Sequence, residues 1–219
     1  PYMTAWMDAR SGYVTAATMY TAEHPNHRSI LDAFLLHVRN CGNRVPSKVY
    51  VDNGADFLFR GFSRPVRLAR KRGKEILADS EGEPYDYCVL DALGVELMTA
   101  APYNGQEKPV ERLFLYFARG WEQPWAPGYT GNSPRNRPDQ LLTWKGDVDR
   151  LPTLQQAQDD LNYWIETIGH ERIREEGRTR GEMWREADFG HLVEFTETDL
   201  QYRMLELTDG QAKLLSLAM

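Results

Sequence analysis

Thiols are scarce in this chain: 219 residues carry two cysteines, Cys41 and Cys88. No second thiol stands near either, and neither is read as half of a Cys–His pair. That argues against a zinc site and a disulfide framework, and it suits a reducing, cytoplasmic compartment. No apolar run approaches the length of a membrane span, and nothing at the start has the layout of a signal peptide. No G-x-G-x-x-G follows a strand, so a Rossmann dinucleotide site is absent. The five histidines, His24, His27, His37, His170 and His191, form no ligand cluster in sequence and carry no catalytic assignment. An excess of positive charge is missing too, because the formal net charge is -6. Read globally, that speaks against nucleic acid as a partner.

Read by region, the charge says something else. The segment RGFSRPVRLARKRGK, residues 60–74, holds seven basic residues and no acid, whereas the last seventy residues are rich in Asp and Glu. A basic block inside an acidic chain has the form of a local phosphate-binding surface. Hydrophobic residues at 42% and charged residues at 26% are ordinary for a globular protein of one domain plus an appendage. The chain opens on PYMTAWMD, already strand-like and without an initiator Met, and reads as a fragment of something longer.

Residues 2–8 and 13–20, rich in Tyr, Val, Thr, Met and Trp around the turn residues ARSG, predict a hairpin. HRSILDAFLLHVRNCG places Ile30, Phe34 and Val38 four apart beside Leu31 and Leu35, an amphipathic helix closed by Gly42. KVYVD, 48–52, predicts a strand. A basic, then Gly-rich and acidic stretch over about 59–86 reads as an insertion. A short helix over 86–93, a strand over 95–100 and a helix over about 105–119 follow, the last with Val110, Phe114 and Phe117 as its packing side. Residues 121–152 are crowded with Pro, Gly, Asn and Trp and predict an extended connection. Helices over 153–168 (Leu154, Leu161, Trp164 and Ile165 apolar) and 179–187 come next. Strand and helix alternate in an α/β order. The division expected is a core over 1–120, a connection and helical extension over 121–189, and a tail over 190–219 that could open a following domain.

Acids stand at the ends or starts of these elements: Asp8 closes the first strand, Asp52 ends the strand after the first helix, and Glu111 lies one turn inside a helix. If the first and third strands are neighbours, Asp8 and Asp52 come side by side. Two carboxylates that close repel unless a cation lies between them. Oxygen donors in that arrangement suit Mg²⁺ or Mn²⁺, and a third carboxylate from a nearby helix would complete a two-metal site for phosphoryl transfer. Nearby acids compete with these three: Glu107, four residues before Glu111, Asp56, four residues past Asp52, and Asp91 in the preceding helix; Glu107 sits near a helix start, where a carboxylate has a capping explanation.

WMDARSGYV, VYVDNGADF and APYNGQEKPVERLF resemble the three acidic motifs of the DDE transposase and retroviral integrase superfamily, over roughly residues 2–120. GYTGNSPRNRPD, LPTLQQAQDDLNYWIETIGHER and GRTRGEMWRE are similar in order to the region after the catalytic core in transposases of the bacteriophage Mu type. The Asp52 to Glu111 interval is wider than the compact integrase spacing, which the basic insertion accounts for, and Arg180 stands where relatives often carry Pro. The resemblance implies a ribonuclease H-like α/β fold, a mixed central sheet flanked by helices with a C-terminal helical extension. It makes Asp8, Asp52 and Glu111 the metal ligands. It further implies Mg²⁺- or Mn²⁺-dependent cleavage of transposon ends, transfer of the 3′ hydroxyl strand into target DNA, and self-association into a multimeric complex on DNA. Asn53, Arg67, Arg70, Lys71, Arg72, Lys108 and Arg112 are the candidates for DNA contacts, with Arg119, Arg135 and Arg137 as further backbone contacts. Two other readings stay open: a stand-alone nuclease of the same fold, and a catalytically silent DNA-binding or assembly module.

Overall fold

The computed structural model describes residues 2–21, 27–51, 66–67, 86–99, 109–122, 151–174, 177–203, 205–208 and 211–214. The architecture is mixed α/β, organised around a hairpin. β1 (Tyr2–Met7) and β2 (Val14–Tyr20) pair antiparallel from Tyr2↔Tyr20 to Trp6↔Ala16, and the register then jumps to Met7↔Val14. The extra residue, Thr15, makes a β-bulge. Its hydroxyl donates to the Trp6 carbonyl at 3.1 Å, and Val14 stays on the same face as Ala17.

Each face of the hairpin carries helices. On one lies α1 (His27–Asn40), whose Ile30, Leu31, Phe34, Leu35 and Val38 are buried as the spacing requires. Trp6 meets Phe34 edge to face at 5.2 Å. The helix closes in a Schellman motif, with Gly42 at φ 69°, its N–H donating to the Arg39 carbonyl at 2.9 Å and the Asn43 N–H to that of Val38 at 3.0 Å. After β3 (Arg44–Val45), β4 (Lys48–Val51) sends Val49 and Val51 into the same core. β5 (Val66–Arg67) and β6 (Asp86–Tyr87) pair antiparallel. α2 (Val89–Ala92) follows and leads to β7 (Glu96–Thr99), which runs parallel to β4 from Lys48↔Glu96 to Val51↔Thr99. Among the described residues β1 pairs with β2 and β4 with β7, and no ladder joins β1 to β4.

On the other face lie α3 (Pro109–Phe117), continuing into a π-helical turn at Ala118–Glu122, and α4 (Leu154–Trp164), continuing into a second at Ile165–Gly169. Leu113, Phe117, Trp121, Leu161, Trp164 and Ile165 pack on Val14 and Ala17. Two expected packing positions differ. Phe114 is exposed, because the buried line runs through Leu113 and Phe117, four apart, and the wider winding of the π turn keeps Trp121 on it. Leu154 is exposed as well; it is the first residue of α4, one turn before Gln158, where the helix reaches β2. Thr153 caps α4 in a reciprocal capping box with Gln156.

Side chains seal the outer edge of β2. Gln158 accepts from Met19 N–H and donates to the Ala17 carbonyl, both at 2.8 Å. Asn40 donates to the Thr15 carbonyl at 2.8 Å. An exposed strand edge is a template for unwanted pairing, and these amides occupy it. Further along, α5 (Arg180–Arg185) is capped by a second box, Thr179 with Glu182. β8 (Val193–Glu194) pairs with β3, and α6 (Glu197–Arg203) buries Leu200 in the α1 core. β9 (Leu205–Thr208) and β10 (Gln211–Leu214) form a last hairpin.

Candidate active site

Asp8 follows β1 directly and organises the turn to β2. Its backbone N–H donates to the Tyr13 carbonyl at 2.8 Å, and its carbonyl accepts from Gly12 N–H at 2.9 Å. Its carboxylate Oδ2 accepts from both the N–H and the hydroxyl of Ser11, each at 2.6 Å. The Ser11 hydroxyl in turn accepts from Tyr13 N–H at 3.1 Å. Gly12 takes φ 72°, the left-handed conformation that glycine adopts without penalty. One carboxylate oxygen is thus committed to shaping the chain. The signal for this was in the sequence: an Asp ahead of turn residues is a residue type whose side-chain oxygen accepts from nearby backbone N–H groups.

The other expected ligands are reached only in part. β4 is described to Val51, so Asp52 and Asn53 lie outside the described residues. The strand that precedes Asp52 is half of a parallel pair, and the carboxyl ends of parallel strands are where α/β sheets open their ligand crevices. Glu111 belongs to the first turn of α3. Arg112 and Arg119 are exposed, on α3 and its π turn. Arg67 is in β5, opposite Asp86. Arg70, Lys71, Arg72, Lys108, Arg135 and Arg137 lie outside the described residues, as do the competitors Asp56 and Glu107; Asp91 is in α2. Among the described residues no group of three or more His, Cys, Asp or Glu side chains could hold a metal ion.

A pairing not expected from the sequence sits behind Asp8. His37 lies one helical turn before Cys41, and Nδ1 and Sγ are 3.7 Å apart. The same Nδ1 is 2.6 Å from the Thr15 hydroxyl. Burial pushes the His37 imidazole down to about 4, against the opposing pull of Asp8. Burial, reinforced by Asp8, pushes the Cys41 thiol up to about 12. A protonated thiol beside a neutral imidazole is neither a nucleophile nor a ready metal ligand. His37 and Cys41 are therefore packing beneath the turn that carries Asp8.

On the far side of the turn, Tyr13 is stacked between His170, ring centroids 3.7 Å apart, and Trp184, at 5.0 Å. His170 Nε2 donates to the Val14 carbonyl at 3.2 Å, and burial lowers its pKa to about 4. These contacts dock α5 and the turn after α4 onto the same hairpin end that carries Asp8.

No protein-family model matches the chain, and no curated protein matches it. Among solved structures, it is similar to a chain in the simian T-cell lymphotropic virus intasome in complex with PP2A regulatory subunit B56 gamma, with a TM-score of 0.50 at 18% identity over 89% of this chain. At that identity the likeness concerns the fold alone. The chain spans about half the length of the intasome chain it matches, 52%. Among the described residues no helix is long and apolar enough to cross a membrane.

Proposed function

We propose that this chain is the catalytic core of a DNA transposase of the DDE type, with a ribonuclease H-like fold, that cleaves element ends and joins the 3′ hydroxyl strand to target DNA. The observation that carries the reading is the conjunction of three acidic motifs in order with a fold likeness to an intasome chain spanning most of the sequence. Trp6 of β1 packs against the core that holds Val49 and Val51 of β4, so the strands that precede Asp8 and Asp52 share one core around α1.

Carboxylate oxygens are the donors that Mg²⁺ or Mn²⁺ prefers, so the residue types fit. Asp8 would offer a single oxygen, since Ser11 takes the other. Such an ion, when bound, supplies charge neutralisation and an activated oxygen for in-line displacement at phosphorus. The chain's own part is to hold and orient: Asp8, Asp52 and Glu111 fix the ion, and Asn53 orients a phosphate. Lys108 and Arg112, with the basic run that includes Arg67, Arg70, Lys71 and Arg72, position the DNA backbone without reading sequence. Self-association on paired DNA ends belongs to the same reading.

The test is Asp52→Asn in strand joining with a pre-nicked 3′ hydroxyl substrate and Mn²⁺. Loss of joined product with an unchanged circular dichroism spectrum is expected; undiminished joining sinks the assignment. One observation favours a second reading, a catalytically silent DNA-binding or assembly module: the commitment of Asp8 Oδ2 to Ser11. Calorimetric titration with Mn²⁺ separates the two, because a silent module need bind no metal.

A further inference from the structure

Beside the Asp8 turn, guanidinium groups gather with each other. Arg172 and Arg180 both lie over the Tyr116 ring, their Cζ atoms 4.4 and 5.1 Å from its centroid. Arg174 and Arg180 meet over Gly12: a side-chain carbon built there would lie 3.3 Å from Arg180 Nε and 3.4 Å from Arg174 Nε. Arg174 Nη2 also donates to the Arg10 carbonyl at 3.2 Å. The backbone enforces the gathering, because Arg180 N–H donates to the Arg172 carbonyl at 3.0 Å and Arg174 N–H to that of Arg178 at 2.8 Å. Three cationic heads from one short segment are thus held between a glycine turn and an aromatic face.

Like charges at this separation repel, and burial raises the cost. Arg180 is only 7% exposed, and its Nε has no hydrogen-bond partner among the described residues; its Nη1 reaches the Gly169 carbonyl at 3.5 Å, a long contact. Burial first, then Arg172 and Arg174, depress its pKa, and Tyr116 is the group that acts the other way. Two acids of the same segment are engaged elsewhere, Glu182 in the Thr179 cap and Glu186 on Arg178 at 2.9 Å. A buried donor with no acceptor among the described residues, inside a cluster of like charge, is an arrangement that a bound anion would satisfy. Arg172, Arg174 and Arg10 are exposed, so an anion has access.

We propose that Arg172, Arg174 and Arg180, converging over Gly12 and Tyr116, form a subsite for one phosphate group of a nucleic-acid backbone. Planar guanidinium forks match tetrahedral phosphate oxygens, and Gly12, having no side chain, lets Arg174 and Arg180 close over the turn. The choice of a nucleic acid as the source rests on the function proposed above; the geometry itself asks for a phosphate. The subsite adjoins the turn carrying Asp8, so a strand held there would run past the proposed catalytic end of β1.

The test is metal-free, so it fails or succeeds independently of catalysis. Binding of the whole chain to a short duplex DNA is measured in EDTA across a salt series, for wild type, Arg172→Gln/Arg174→Gln and the charge-keeping Arg172→Lys/Arg174→Lys. In parallel, inorganic phosphate is titrated while the thermal midpoint is followed. The Gln pair is expected to weaken DNA binding and to flatten the slope of log K against log salt by about 1, the loss of roughly one phosphate contact, while the Lys pair keeps most of it. Wild type should gain thermal stability from phosphate and the Gln pair should not. An unchanged slope in the Gln pair overturns the proposal. Phosphate stabilisation without any effect on DNA binding would assign the site to free phosphate and overturn the nucleic-acid source. Since Arg172 and Arg174 are exposed, the fold should survive; should the Gln pair unfold, Arg174→Gln alone gives the same readings.

Discussion

Arg39 and Arg44 on one face of the hairpin are arranged differently from Arg172, Arg174 and Arg180 on the other. On the α1 side, Arg39 pairs with Glu197 through two hydrogen bonds, and Arg44 with Glu194 at 3.1 Å. These pairs fasten the stretch from β8 to α6 onto α1 and β3. On the α3 and α4 side, Arg172, Arg174 and Arg180 turn toward one another, cushioned by Tyr116. The first arrangement is complete in itself: cations meet carboxylates around an apolar core, and nothing further is needed. The second is an arrangement of like charges that an anion would stabilise. Among the described residues, these paired and unpaired arginines thus lie on opposite sides of one pair of strands.

The largest effect expected from breaking this division lies in the complete face. Phe34 is fully buried and meets Trp6, so Phe34→Ala should cost about 3–5 kcal/mol in urea denaturation. Two histidines, half-buried His37 and buried His170, one per face, offer a sharper comparison. His37 and His170 both have folded pKa values of about 4, below the ordinary 6.5. The unfolded chain therefore binds more protons between those values, so stability should be fully present above pH 6.5, fall as pH drops toward 4, and level off below it. His37 alone should contribute a loss of about 3 kcal/mol over that window. Urea midpoints between pH 7 and 4 for His37→Gln and His170→Gln would assign the fall to one face or the other; a flat wild-type profile would refute both shifts. A smaller effect is expected at Gly120, where an added carbon would lie 2.7 Å from Trp164 Cζ2. Gly120→Ala should lose about 1–3 kcal/mol by overpacking, and an unchanged midpoint would mean that the Trp164 ring has room to retreat.

Much of the scaffold could be read from residue spacing. Ile30, Phe34 and Val38 announced α1, Gly42 its end, and the alternation around ARSG the hairpin. The burial of Leu113 in place of Phe114 could not be read the same way, because both are apolar and only the direction from which β2 approaches decides between them. Asp8 was visible as an acid at a strand end, but its bond to Ser11 is a property of the turn and not of the strand. The arginine cluster was hidden for a different reason. Arg172, Arg174 and Arg180 share their segment with several acids, so local charge nearly cancels, and the convergence depends on Tyr116 and Gly12 from distant elements. Arg180 is the most buried of the three.

The parallel pairing of β4 with β7 has a kinetic consequence. β1 and β2 can meet as soon as five or six residues bend back, an event of microseconds. Val51 and Glu96, by contrast, come to the same small sheet only after the whole intervening chain has been drawn into a loop. Such closure is paid for before the contacts reward it, which makes this pairing the expected slow step of folding. Yet the cost grows only with the logarithm of loop length, about 0.6 kcal/mol per doubling. The stretch between β4 and β7 can therefore be long at little thermodynamic expense while the two strands keep their register.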